Sequence, residues 1–332
     1  MCLQMRRTRW SIPESARDRD ERIVISGDGQ TADPIVLSNP TTTIASFERQ
    51  TRASHGIFLR TILRLVRQQG GRISVIWLGL LVLVALAAPI LAPFEPDRVG
   101  AGDQFEAPSR QHLFGTDELG RDVLSRIIYG ARISLSVALL SALVALVIAL
   151  PIGLLAGYRG GIVDTVISRL FDTIFAFPAI LLGIGLVAIR GAQLSNVILA
   201  IAIIYIPTLG RLTRVSVITQ RAQEYVEAAR AVGSPGWRIL LHHIVPNVLP
   251  PLLVQLTLVM ADAVLLEAAF SFLGLGIPPP QPSWGVMLDG SRKYLDQAPW
   301  LGIFAGLAIT SLILALNALG DALRIALDPR RP

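Results

Sequence analysis

Long apolar stretches without charge alternate with short polar segments along most of this 332-residue chain. A helix needs about 20 mainly apolar residues to cross the hydrocarbon core of a bilayer, and six stretches are that long or nearly so. We therefore predict an all-α, polytopic membrane protein with six transmembrane helices. Pro151, Pro178 and Pro207 fall inside spans and are expected to bend them. The expected spans are 73–94, 133–158, 166–189 (most apolar from 173), 191–210, 252–273 and 298–320.

The first 72 residues do not share this pattern. Residues 1–58 are rich in Arg, Asp, Glu, Ser and Thr without a sustained period, which predicts a mostly disordered cytoplasmic tail. In residues 59–72, apolar side chains alternate with arginines, which favours a basic amphipathic helix at the membrane surface. The membrane domain itself is then expected over residues 73–330.

The distribution of basic residues predicts how the spans are oriented. If the N-terminus is inside, the inner loops carry more Arg and Lys than the outer loops. Cytoplasmic loops show this excess, so both termini are expected in the cytoplasm. The loop 95–132 works against this bias, because it would lie outside and holds several arginines.

The composition excludes several classes of protein. The chain is 52% hydrophobic and only 16% charged, whereas soluble domains carry about 25% charged residues. Its one cysteine, Cys2, cannot form an internal disulfide. Its one lysine, Lys293, lies outside any Gly-Lys-Ser/Thr sequence, so an ordinary nucleotide-binding loop is excluded. No basic face with interleaved aromatic residues suggests nucleic acid, and no ligand-spaced residues suggest a metal or another cofactor.

A polar, arginine-bearing segment between the fourth and fifth spans is predicted to form a helical hairpin. Glu224 and Glu227 lie one turn apart in its first helix. Gly233 suits the left-handed residue just past a helix C-terminus. Ser234 is expected to cap the second helix, with Pro235 at its first position, and this helix runs on into the fifth span. The local sequence therefore predicts a helix, a glycine turn and a second helix.

A membrane protein that holds such a hairpin in water offers it to a soluble partner, and docking of a helix in a groove is the natural mode. Two adjacent alanines give the first helix a small profile that another surface can approach closely. The alternative is a solvated loop, and local chemistry leaves both open. In the docking interpretation, the apolar contact surface comprises Tyr225, Val226, Ala228, Ala229 and Val232.

The hairpin also resembles a motif of a known family. The run Glu227-Ala228-Ala229, with Gly233 and Pro246 at the family's spacing, resembles the EAA motif of ABC importer permeases. The family has roughly Ile-x-Leu-Pro where this chain has residues 243–246, His-Ile-Val-Pro, so two positions depart. The resemblance implies that segment 221–246 docks on an ATPase subunit. The implied coupling residues are Glu224, Glu227, Ala228, Ala229, Gly233 and Pro246.

Three more stretches narrow the family. Residues 112–135, 270–285 and 319–330 resemble, in order, three segments of peptide/nickel-type permeases. The resemblance covers about residues 60–330. It implies a type I ABC importer permease fold and the C-type subunit of a dipeptide or oligopeptide importer. Nickel and glutathione permeases of the same family remain alternatives.

The resemblance also implies partners and a location. The chain would need a second homologous permease, two cytoplasmic ATPase subunits, an external substrate-binding protein and a lipid bilayer. It would lie in the bacterial plasma membrane as a multi-pass protein. No catalytic residue is expected in the chain itself.

Two carboxylates, Asp262 and Glu267, fall inside the fifth span. A charged group at that depth costs roughly 2.5–3.5 kcal/mol on insertion scales, so it is expected to face a polar cavity or a partner. One hypothesis places both along the substrate path. Another pairs them with Asn317 or with a residue of the second permease. A rival function, a membrane-embedded enzyme, would make both carboxylates catalytic. Side chains five residues apart on one helix point in different directions, which argues against a shared catalytic site.

Two groups of opposite charges are expected to form ion pairs. In residues 112–135, Asp and Arg side chains recur at three to five residues. This spacing predicts an interfacial helix on the outer side, which either seats the external protein or fixes the connection between spans. At the inner end of the third span, Arg169 and Asp172 are three residues apart and are expected to pair structurally. The charges of the outer group are Asp117, Arg121, Asp122 and Arg126.

Overall fold

The computed structural model describes residues 64–65, 68–278 and 280–327. The predicted disordered tail lies outside these residues, as does half of the predicted surface helix, residues 59–63 and 66–67. The part of the chain described contains helices α1 (Gln69–Leu86), α2 (Ala88–Leu91), α3 (Val123–Arg159), α4 (Gly161–Phe175), α5 (Ala179–Arg190), α6 (Leu194–Arg221), α7 (Glu224–Ala231), α8 (Gly236–Phe272), α9 (Trp284–Ser291) and α10 (Pro299–Leu327).

Five of these helices, α1, α3, α6, α8 and α10, are long and apolar enough to cross a membrane, and α4 with α5 makes a sixth if the bent pair forms one span. The predicted all-α, polytopic fold is therefore confirmed. The helices extend beyond the predicted spans, because polar residues continue α6 and α8 past the apolar core. In α8 this extension joins the predicted hairpin to the fifth span without interruption.

The third predicted span is broken and not merely kinked. α4 and α5 are bent by 86° relative to each other. The break lies at residues 176–178, where Pro178 has an extended backbone with ψ 128°. Proline disfavours helical geometry at the residue before it and cannot donate to the preceding turn, so the helix ends and restarts. Pro151 and Pro207 lie within α3 and α6, and both helices continue past them.

The centre of the molecule is the close pair of α3 and α6. A Cβ atom at Gly153 would lie 2.6 Å from the Gly210 carbonyl oxygen, and one at Gly157 would lie 2.7 Å from the Arg214 carbonyl oxygen. Small residues four apart let membrane helices approach at backbone distance. α8 packs on both helices through buried aliphatic residues, and α1 and α10 pack on α3 and α8.

Segment 112–122 is not part of the predicted interfacial helix. It consists of turns, because Gly115 and Gly120 adopt left-handed φ angles of 76° and 68° that no helix contains. Helix α3 starts only after Asp122, whose carboxylate accepts from the Ser125 backbone N–H at 2.8 Å. The expected ion pairing does occur, with Arg121 Nε 2.7 Å from Asp117 Oδ2, but it closes a turn and does not lie along a helix face.

Candidate functional site

The predicted hairpin is closed by a glycine turn after α7. The Ser234 N–H donates to the Ala229 carbonyl at 3.1 Å, and the Gly233 N–H donates to the Arg230 carbonyl at 2.9 Å. Gly233 has a φ angle of 77°. These two bonds form a Schellman motif, which requires a left-handed residue just past the helix. The predicted conformation of Gly233 is therefore confirmed.

The predicted cap of the second helix is wrong by one residue. Pro235, not Ser234, is the residue before α8, and its carbonyl accepts from the N–H groups of Arg238 at 2.9 Å and Ile239 at 3.1 Å. The reason is the preceding turn. Because the Ser234 N–H still serves α7, the chain needs one more extended residue before the next helix begins.

α7 is held to the body of the protein by one buried side chain. Val226 is fully buried against Ile239 and Ile244 of α8, so its predicted place on the partner-facing surface is wrong. The Tyr225 hydroxyl adds a polar tie, donating to Gln220 Oε1 at 2.7 Å. Partial burial raises the pKa of the Tyr225 phenol above its usual value.

The other side of the hairpin is open to solvent. The predicted coupling residues Glu224, Glu227 and Ala228 are exposed, and Ala229 is half-buried. Val232 is 81% exposed, Trp237 62% and Leu241 53%. An apolar surface this exposed beside acidic residues is typical of an interaction site. Trp237 and Leu241 were not among the predicted contacts, although a tryptophan next to a polar hairpin could have indicated them.

The predicted coupling segment ends at an irregular turn of α8. Ile239–Ile244 form a π-helix, and regular α-helix resumes at Val245. Pro246 lies in the first turn after this change, is exposed and has no N–H to contribute. Single π-turns are frequent at functional sites. The structure thus brings Pro246 to the base of the hairpin.

The two carboxylates of α8 lie in different surroundings. Glu267 is only 1% exposed, and its Oε1 accepts hydrogen bonds from the hydroxyls of Ser271 at 3.0 Å and Ser283 at 2.8 Å. Ser283 also caps α9, accepting from the Val286 N–H at 3.2 Å. Glu267 therefore fixes the start of α9 against α8, and its partners are serines and not the predicted Asn317.

Asp262 lies on an exposed face of α8, beside the hydroxyl of Tyr205. Its neighbours on this face recur at intervals of three, four or seven residues, which is one side of a helix. Leu258, Leu265 and Phe272 are 36%, 51% and 43% exposed. We call this face the α8 stripe; it comprises Pro251, Gln255, Leu258, Asp262, Leu265 and Phe272.

α4 is tied to α6 by ion pairs. Arg169 and Asp172, predicted to pair, have Nη1 and Oδ2 3.9 Å apart. The nearer partner of Asp172 is Arg211, whose Nη2 lies 2.5 Å from Oδ1. Arg214 binds both carboxylate oxygens of Asp164. The cross-helix pairs were not predicted, because nothing in the sequence aligns residues 39 and 50 positions apart.

Comparison with known proteins places this architecture in a family. Residues 149–331 match the family described as binding-protein-dependent transport system inner membrane component. The chain belongs to this family of permeases. Residues 58–110 of the permease also match the N-terminal transmembrane domain of oligopeptide transport permease C.

The permease has similar relatives along most of its length. It is 45% identical over 249 residues to the dipeptide transport system permease protein DppC of Alkalihalophilus pseudofirmus, covering 75% of this chain and 82% of the relative. It is 39% identical over 270 residues to DppC of Haemophilus influenzae, covering 80% and 92%. It is 41% identical over 268 residues to the glutathione transport system permease protein GsiD of Shigella dysenteriae, covering 80% and 88%.

These similarities confirm the C-type permease family predicted from the motifs. The chain is a multi-span inner-membrane permease of a binding-protein-dependent ABC transporter. Such a transporter contains ATPase and substrate-binding components by definition. The family is one of transport proteins and not a class of enzymes.

Proposed function

We propose that this chain is one of two permease subunits of an ATP-driven importer of di- or oligopeptides. Its relatives are named for dipeptides and for glutathione, which is itself a small peptide. These names favour peptides over nickel and keep glutathione as an alternative within the same chemical class. The chain forms half of the path and itself makes or breaks no covalent bond. The wide separation of the Asp262 and Glu267 environments argues against the enzyme alternative.

The observation that carries this proposal is the solvent-exposed hairpin held by one buried valine. α7 contributes little to the core, yet the hairpin presents the acidic residues of α7 together with the exposed Val232, Trp237 and Leu241. A helical segment with little buried surface and many exposed contact residues is suited to dock in the groove of a soluble partner. We assign that groove to a cytoplasmic ATPase, which puts the hairpin and both termini on the cytoplasmic side, in agreement with the excess of basic residues there.

The hairpin is placed to move two long helices at once. It begins at the end of α6 and continues directly into α8, so a displacement of α7 acts on both. In the proposed cycle, an external binding protein delivers the peptide and the ATPases close on ATP. The hairpins are drawn together, the spans rock, and the path opens outward and then inward after hydrolysis. The carboxylate of Glu267 keeps α9 positioned and takes no part in the path.

We assign the α8 stripe to the interface with the second permease and the path between them. Asp262 lies midway along this stripe. A carboxylate facing lipid there would cost roughly 2.5–3.5 kcal/mol, so protein or water must cover it. Its charge suits the ammonium group of a peptide N-terminus. Glu267, which is buried within the chain, is not available for that role.

Cysteine crosslinking tests the assignment of the stripe. In a chain with Cys2 replaced by serine, Leu258→Cys and Leu265→Cys are expected to crosslink to cysteines placed along the fifth span of the second permease. Leu307→Cys on α10 is the matched control, because Leu307 is 60% exposed but lies on another helix. Crosslinking from Leu307 alone would move the interface to α10 and refute the assignment.

The charge reversal Glu227→Lys tests the coupling function. It leaves the core intact because Glu227 is exposed, but it inverts the charge of the docking helix. Residues at the centre of an interface cost more than about 1 kcal/mol when altered, so we expect ATPase capture in pull-down assays to fall at least about fivefold. Transport should fall with it.

The control for this variant is Asp296→Lys, at an exposed carboxylate far from the hairpin in sequence. It is expected to leave ATPase capture and transport unchanged. Normal ATPase binding and transport by Glu227→Lys would contradict the coupling function. Labelling of position 227 by a membrane-impermeant reagent from the outside would contradict it too.

A further inference from the structure

We propose that two arginine–carboxylate pairs clamp α4 to α6 and make α4 follow the coupling hairpin during transport. The clamp consists of Asp164, Asp172, Arg211 and Arg214. It rests on the proposed function, since it describes how motion of the hairpin reaches the broken third span. Its residues are positioning residues, because they act on the path through the placement of a helix.

The geometry of the clamp defines one arrangement of the two helices. The Arg214 guanidinium binds both oxygens of Asp164, with Nη2 2.6 Å from Oδ2, and this two-point contact fixes orientation as well as distance. Arg211 Nη2 reaches Asp172 Oδ1 at 2.5 Å. Next to the Arg211 pair, the ring of Phe171 lies against Gly210. α4 is therefore held to α6 at three points.

On the α6 side, the residues of the clamp lie on a helix that packs closely against α3. α3 and α6 meet at backbone distance, since a Cβ at Gly157 would lie 2.7 Å from the carbonyl oxygen of Arg214 itself. Further along, Arg221 donates to the Tyr158 carbonyl at 2.8 Å. The α7 helix follows two residues later. Arg211 and Arg214 therefore move with the element that carries the hairpin.

On the α4 side, few other contacts fix the position of the helix. α4 packs on α3 and α6 along one face, and Phe171 is its one buried side chain. The opposite face is open, with Ile162 83%, Val166 53% and Leu170 60% exposed. The 86° break separates α4 from α5. Without the ion pairs, α4 could slide or tilt against α6.

The energetics support a role in motion more than one in stability. The side chains of Arg214 and Asp164 are 29% and 19% exposed, and those of Arg211 and Asp172 are 45% and 51% exposed. Ion pairs with this access to water contribute little to folding. A bidentate arginine contact still selects one register over others. Loss of the clamp should therefore leave the protein folded and change how ATP hydrolysis is converted into transport.

The test uses the complete transporter, with both permeases, the ATPases and the binding protein, reconstituted in proteoliposomes. We expect Asp164→Asn and Arg214→Gln to keep ATPase capture and ATP hydrolysis while consuming about 3- to 30-fold more ATP per peptide imported, the range seen for residues that modulate coupling. The exchanged pair Asp164→Arg with Arg214→Asp should bring the ATP consumed per imported peptide part of the way back to the value of the unaltered protein. Arg324→Gln, at an exposed side chain on α10, is the matched control and should match the unaltered protein.

Three results would overturn the clamp. The single variants could keep the normal ratio of ATP to peptide. The exchanged pair could consume as much ATP per imported peptide as the single variants, although the transporter is folded and assembled. The single variants could also fail to assemble, which would assign a structural role. The test separates this inference from the proposed function, because loss of coupling with intact ATPase capture concerns the clamp, whereas normal capture by Glu227→Lys concerns the hairpin.

Discussion

Replacing Gly157 by leucine is expected to prevent the membrane core from folding stably. A Cβ at this position would lie 2.7 Å from the Arg214 carbonyl oxygen and 2.8 Å from the Val217 Cβ. Backbone cannot give way as a flexible side chain does, so α3 and α6 must separate along their length. Overpacking of a core typically costs about 1–3 kcal/mol, and the additional loss of close helix packing places this variant at the upper end.

The measurement is the fraction of chain that remains monodisperse in detergent after stepwise heating. Gly306→Leu is the matched control, because Gly306 lies within α10 and a Cβ there would meet nothing within 4 Å. We expect Gly306→Leu to behave as the unaltered protein and Gly157→Leu to aggregate at much lower temperature. Equal melting of the two variants would show that the approach of α3 to α6 is not what holds the core together.

Replacing Val226 by aspartate is expected to abolish transport without unfolding the membrane domain. Val226 is fully buried and is the one buried residue of α7. Burying a charge there costs several kcal/mol, at least about 3, so α7 should leave its place against α8. A penalty of that size lowers the fraction of correctly placed hairpin by more than about 100-fold.

ATPase capture and peptide uptake measure this effect, and the melting temperature in detergent checks that the spans remain folded. Val226→Ile is the control, since it keeps an aliphatic side chain at the site and should retain both activities. If Val226→Asp still bound the ATPases and imported peptide, the placement of α7 by this valine would be irrelevant to coupling. The proposed route from the hairpin to the spans would then have to be abandoned.

The hairpin shows which structural features the local sequence can predict. Gly233 could be placed correctly because a left-handed residue after a helix has a strong local signature. Ser234 was misplaced by one residue because two helix ends share the same short turn. Val226 was assigned to the wrong face because an eight-residue helix has too few apolar positions to show which side is buried.

The two carboxylates of α8 also show that the local sequence does not reveal which side chains are buried. Asp262 and Glu267 are both ionisable residues within an apolar span, and the sequence offers no reason to treat them differently. The structure separates them, because Glu267 is buried and Ser283, 16 residues away, donates to its Oε1, whereas Asp262 lies on the exposed stripe. That difference is the reason that the proposed peptide contact is assigned to Asp262 and not to Glu267.

The sequence by itself determined the class of the protein, because uncharged stretches of membrane-spanning length and the ordered family motifs are local properties of the chain. It also determined the helix, glycine turn and helix of the hairpin. Only the tertiary structure decided that the third span breaks at Pro178, that segment 112–122 forms turns, and that Arg214 meets Asp164. The physical reason is that these features depend on contacts between residues far apart in the chain, where the close approach of α3 and α6 and the position of α4 determine which groups meet.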